Sequence, residues 1–85
     1  MYVQNNTLEY IYDNNSMMVI NPKTEEAFSL NKISSQIVKL LEQPKSFEEI
    51  MQSLLKNCSG SEIQIRYEVV TFLKKAVAEQ IIMIS

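Results

Sequence analysis

The chain has 85 residues, enough for one domain with a modest core and too few for a large enclosed catalytic cavity. Its 46% hydrophobic and 21% charged content belongs to a chain that folds and excludes intrinsic disorder. The formal net charge is −2 and the eight Lys and Arg are scattered, so no basic stripe is present to bind phosphate backbones and nucleic acid is not an expected partner.

Residues 1–7 turn polar after the first three and read as a loosely held lead-in. Leu8-Glu9-Tyr10-Ile11-Tyr12 follows as a first strand, with Leu8, Tyr10 and Tyr12 on one face. Asp13-Asn14-Asn15-Ser16 supplies a turn, because Asn and Asp tolerate left-handed backbone angles and bond their own main chain. Met17-Met18-Val19-Ile20 then closes a hairpin, and both methionines read as core filler rather than an adaptable binding surface. A second turn signal, Asn21-Pro22-Lys23-Thr24, leads into Glu26-Ala27-Phe28-Ser29-Leu30. Alternation of Phe28 and Leu30 with Ala27 and Ser29 marks a third strand with one buried face.

Beyond Leu30 the apolar period lengthens. Ile33, Ile37, Leu40 and Leu41 recur at helical spacing, with Asn31 or Ser34 available as the amino cap, and this helix ends before Pro44. Ser46-Phe47-Glu48-Glu49 has the form of a capping box and opens a second helix that turns Ile50, Met51, Leu54 and Leu55 inward. That helix is expected to stop near Cys58, with Gly60 as terminator. Ser61 or a neighbour caps a third helix, whose Val69, Phe72, Leu73 and Ala76 form an apolar stripe. Arg66, Tyr67, Val70, Lys74 and Val77 form a mixed row beside it. Ile81-Ile82-Met83-Ile84 ends the sequence as a short strand or a docked tail.

The residues offer little chemistry. Without histidine, the usual neutral-pH acid–base group and the commonest metal ligand are both missing. A lone Cys58 has no histidine base and reads as an inert thiol, and as a single cysteine it makes no intrachain disulfide. Glu48 and Glu49 are neighbours on a helix and point apart, so capping explains Glu49 better than acid–base work. One glycine excludes a glycine-rich phosphate loop. The expectation is a protein that is not an enzyme, with no catalytic residues, no metal and no cofactor. No run is long enough to span a bilayer and no signal-like amino terminus is present, which implies a cytoplasmic protein without a membrane partner.

Three strands followed by three helices suggest an α+β winged helix-turn-helix fold filling residues 1–85 as a single domain. More specifically, the chain resembles the PqqD-like family of peptide-recognition domains used in ribosomal peptide modification. Leu30-Asn31 is similar to the family's third-strand ending, Ser46-Phe47-Glu48-Glu49-Ile50 to its helix opening, and Glu68-Val69 with Phe72-Leu73 to its last-helix signature. Gln43 and Gln80 depart from it, standing where the family usually has glycine.

The resemblance implies a RiPP recognition element that binds a precursor's leader peptide as a strand added along the third strand, beside the third helix. The peptide-binding residues are then Glu26, Ala27, Phe28, Ser29 and Leu30 on the strand and Arg66, Tyr67, Val70 and Lys74 on the helix. It further implies presentation of the leader to a separate modifying enzyme or protease. A winged-helix DNA-binding regulator shares this architecture, but it calls for a basic recognition helix. Here Arg66, Lys74 and Lys75 stand against Glu62, Glu68 and Glu79. A small scaffold subunit of an enzyme complex, docking through residues 81–84, is the third alternative.

Overall fold

The computed structural model describes residues 1–57 and 59–85. The role weighed for Cys58, and the helix end expected there, lie outside the described residues. The Asn-rich turn makes the expected hairpin. Strands β2 (Glu9–Asp13) and β3 (Ser16–Ile20) pair antiparallel, closed by Asp13 opposite Ser16, and Asn14 takes the left-handed conformation at φ 55°.

The second turn is organised by Asn21. Its side-chain oxygen accepts from the Lys23 and Thr24 amides, and its carbonyl accepts from Glu25, whose φ is 62°. The chain emerges as β4 (Ala27–Leu30), antiparallel to β3, so the sheet order is β2-β3-β4. Glu26 stands one residue before the strand. Strand alternation buries Met17 and Val19 but turns Met18 outward, 42% exposed, so only Met17 is core filler.

Helix α1 (Lys32–Leu40) opens at Asn31, whose side chain accepts from the Ser34 amide and thereby acts as the cap. The capping box opens α2 (Phe47–Asn57) in both directions. Ser46 Oγ accepts from the Glu49 amide at 3.2 Å, and Glu49 Oε1 accepts from the Ser46 amide at 2.9 Å. Ile50, Met51 and Leu54 are buried. Leu55 lies one position beyond that stripe and emerges at the surface, contrary to expectation. Helix α3 (Glu62–Ala78) is capped by Ser61 and buries Ile65, Val69, Leu73 and Ala76, with Phe72 half-buried.

The lead-in is not loose. It forms β1 (Tyr2–Gln4), which pairs antiparallel with β5 (Ile82–Ile84) in a second, two-stranded sheet. Three residues are too few to show a periodicity, but their partners are definite. Tyr2 exchanges backbone bonds with Lys45, and the Gln4 amide donates to the Leu41 carbonyl. Gln4 Nε2 donates to the Val38 carbonyl. The fold is thus α+β with the expected three-stranded sheet and three helices; of the two further short strands, β5 realises the strand alternative for residues 81–84 and β1 replaces the expected loose lead-in.

The helix-terminal residues explain how the closing strand returns. The Gln80 amide donates to the Val77 carbonyl and the Ile81 amide to that of Ala76, which is the bonding of a Schellman motif. Gln80 occupies its left-handed position, φ 62°, where glycine is favoured. Gln43 has no positive φ, and its turn makes no such demand.

Candidate functional site

β4 is the outer strand of its sheet, and hairpin geometry fixes which of its groups point away from β3. Asp13 and Ser16 flank a two-residue turn and so form a hydrogen-bonded pair. Alternation then directs the backbone groups of Ser16, Met18 and Ile20 to β2 and those of Met17 and Val19 to β4. The Asn21 amide, which donates to the Glu26 carbonyl, continues the same alternation. In the β3–β4 register Phe28 lies opposite Val19 and Leu30 opposite Met17, so these two residues are bonded inward. The amides and carbonyls of Ala27 and Ser29 are left facing the open edge.

Beside that edge runs a trough whose far wall is α3. A compartment of about 190 Å³ lies among Phe28, Leu30, Phe72 and Ala76, with Lys75 and Glu79 on the helix side. It continues past Asn31, Ser34, Phe72 and Lys75 into a second compartment of about 330 Å³. There Ile33, Tyr67, Glu68 and Thr71 complete the lining. At the other end Glu26 and Glu79 border a smaller recess next to Phe28. The floor is apolar because Phe28 and Leu30 project from the core face of β4 while Phe72 and Ala76 belong to the core stripe of α3.

The structure therefore lines this trough with Phe28, Ser29 and Leu30, with Glu26 at one end and Tyr67 at the other, while Ala27 lines no compartment and stands on the open strand edge beside it. Arg66, Val70 and Lys74 are elsewhere. Val70 and Lys74 line a separate, largely apolar hollow of about 410 Å³ with Tyr2, Phe47, Leu73 and Ile84, on the β1–β5 side of α3. Arg66 sits above the Phe47 ring and forms exposed ion pairs with Glu48 at 3.5 Å and Glu62 at 3.4 Å.

A step of 100° per residue places the row Arg66–Val70–Lys74 on one flank of the core stripe and the row Tyr67–Thr71–Lys75–Glu79 on the other. Sequence reasoning took the first row, with Tyr67 added from the second. Lys75, Glu79 and Phe72, which line the trough, are not among the residues that reasoning named for binding. The four-residue recurrence from Tyr67 to Glu79 was the available signal; which flank meets β4 depends on the tertiary arrangement.

Electrostatically the two flanks differ. Arg66 is paired, whereas among the described residues no ion pair engages Lys75, Glu79 or Glu26. Among the described residues there is also no group of three or more His, Cys, Asp or Glu side chains placed to hold a metal ion, and no helix long and apolar enough to cross a membrane.

The family model described as Coenzyme PQQ synthesis protein D (PqqD) matches residues 16–82. Among solved structures, TbiB1 in complex with the TbiA(beta) leader peptide is similar at a TM-score of 0.82 and 19% identity, covering 94% of this chain and 93% of that one. Lasso peptide synthetase B1 complexed with the leader peptide is similar at a TM-score of 0.80 and 12% identity, with 98% of each chain covered. At these identities the likeness is one of fold. No curated protein sequence matches.

Proposed function

The chain belongs to the PqqD family, and from that premise we propose that it captures the leader segment of a ribosomally made precursor peptide and presents it to a separate modifying enzyme or protease. The leader adds as a strand along the open edge of β4. The observation that carries this reading is the coincidence of unpaired backbone groups at Ala27 and Ser29 with an apolar-floored trough on the α3 side of the same edge. Backbone pairing gives register and tolerates many sequences, while side chains entering between strand and helix give selectivity. That two chains of the same fold are known with leader peptides supports the choice of peptide.

The proposed contact residues are Glu26, Ala27, Phe28, Ser29 and Leu30 with Tyr67, Phe72, Lys75 and Glu79. They hold and orient a peptide rather than transform it. Arg66, Val70 and Lys74, on the opposite flank of α3, are left out of this proposed contact set.

The reading is tested by titrating the isotopically labelled domain with the synthetic N-terminal segment of a short precursor encoded beside its gene. Amide shifts are expected at Ala27 and Ser29 and along the Tyr67–Glu79 row. Saturable binding with shifts confined to the Val70–Lys74 hollow would sink the strand-addition mode.

A further inference from the structure

The trough carries a pattern of charge that leader capture does not by itself require. Lys75 lies where the two larger compartments meet, next to Leu30, Asn31 and Ser34. Glu79 lies one helical turn further on and shares the smaller recess with Glu26, next to Phe28. Along the compartment that borders the strand, the edge therefore runs from Lys75 near the Leu30 end to the carboxylates of Glu79 and Glu26 near the Ala27 end, with Phe72 and Ala76 between them on the floor; Glu68 lines only the outer compartment beyond Lys75. Lys75 and Glu79 are spaced i,i+4, yet they are not ion-paired with each other. Both stay available to a ligand.

Resting on the leader-capture reading, we propose that this trough sorts leaders by charge as well as by apolar fit. The recognised segment, read from the Leu30 end of β4 towards its Ala27 end, carries an acidic residue, then at the second position beyond it an apolar residue, and at the fourth a basic residue. In an extended strand these three side chains share one face, and the outer two are separated by about 13 Å. That span lets a carboxylate meet Lys75 and an ammonium or guanidinium meet Glu79 and Glu26, while the central side chain fills the compartment of about 190 Å³ over Phe72 and Ala76. Exposed pairs of this kind add little affinity, but a leader with the charges reversed meets like charge at both ends. The device selects against wrong leaders and fixes the direction of the right one, since a strand entered backwards has the same reversal.

The test pans a displayed library of random short peptides on the intact chain and maps synthetic representatives of the selected peptides by amide shifts. Selected peptides are expected to shift Ala27 and Ser29, to share the acidic–x–apolar–x–basic pattern, and to lose about tenfold in affinity at low ionic strength when their two charges are exchanged. The double variant Lys75→Glu/Glu79→Lys, altered only at surface positions and checked for native circular dichroism, should prefer the exchanged peptides. Peptides that shift Ala27 and Ser29 without a shared charge pattern, and that bind the double variant equally well, would overturn charge sorting and leave strand capture standing. Selected peptides that bind without touching β4 or α3 would overturn both.

Discussion

Gln80 places a residue with a Cβ in a left-handed backbone conformation, φ 62°, at the turn after α3. A non-glycine residue there costs about 1–2 kcal/mol, partly offset by the greater chain entropy glycine would lose on folding. Gln80→Gly is therefore expected to stabilise the fold by about 0.5–1 kcal/mol. Gln43→Gly, where no positive φ exists to relieve, should lower stability slightly; chemical denaturation of the two variants measures the contrast. Glu49 makes a second prediction. Bonds from the Ser46 backbone and hydroxyl hold its carboxyl below the ordinary value of 4.5. A group whose pKa is depressed by folding stabilises above its unfolded value, and that contribution is lost as the pH falls through the folded value. The thermal midpoint of the native chain should thus fall more steeply below about pH 4.5 than that of Glu49→Gln, which keeps a capping-box partner but cannot titrate. Parallel curves for the two proteins would remove the charge from the account.

At the scale of elements, the β4 edge yields a test that separates fold from capture. Ser29 directs its amide outward, so proline at this position removes a donor offered to a peptide and none used by β3; edge strands tolerate such a change. Ser29→Pro should lower peptide affinity at least tenfold with little change in melting temperature, whereas Phe28→Pro should break the β3–β4 ladder and unfold the sheet. Unchanged affinity in Ser29→Pro would mean that the peptide does not pair through that amide. The strand was legible in the sequence because turn chemistry at residues 13–16 and 21–24 marked the breaks between β2, β3 and β4, and the alternation of Phe28 and Leu30 marked the buried face; that its outer edge is open and faces α3 came only with the family resemblance. The helices were legible for a similar reason, since Asn31, Ser46 with Glu49, and Ser61 are caps that announce their own positions. The helix half of the trough was not. Two rows flank the α3 core stripe at equal angular distance, and periodicity gives their spacing without saying which one turns towards β4. Exposed Met18 and Leu55 misled in the same way, as apolar residues just off a buried face.

For the whole molecule, the two sheets are joined by a small polar cluster that links the first residues to the last. Tyr10 Oη donates to the Ile81 carbonyl at 2.7 Å and accepts from the Asn5 amide at 2.8 Å. Burial raises the Tyr10 pKa, outweighing its bond to Asn5. Asn5 Nδ2 donates to the Gln80 carbonyl at 2.8 Å, while its Oδ1 accepts from the Thr7 amide and hydroxyl. Asn5 itself is only 9% exposed, an unusual depth for a residue expected in a loose lead-in. Its side chain ties the connection between β1 and β2 to the turn that ends α3, the helix that carries the row from Tyr67 to Glu79. Asn5→Ala leaves the Gln80 carbonyl and the Thr7 amide without this partner, a cost of about 1–3 kcal/mol. In a domain of this size that corresponds to a fall of roughly 5–20 °C in melting temperature. The loss should be global: amide exchange in β4 and α3 should accelerate together with that of Tyr2 and Gln4. A variant in which only β1 and β5 lost protection would show instead that the small sheet is an appendage and that the trough stands without it.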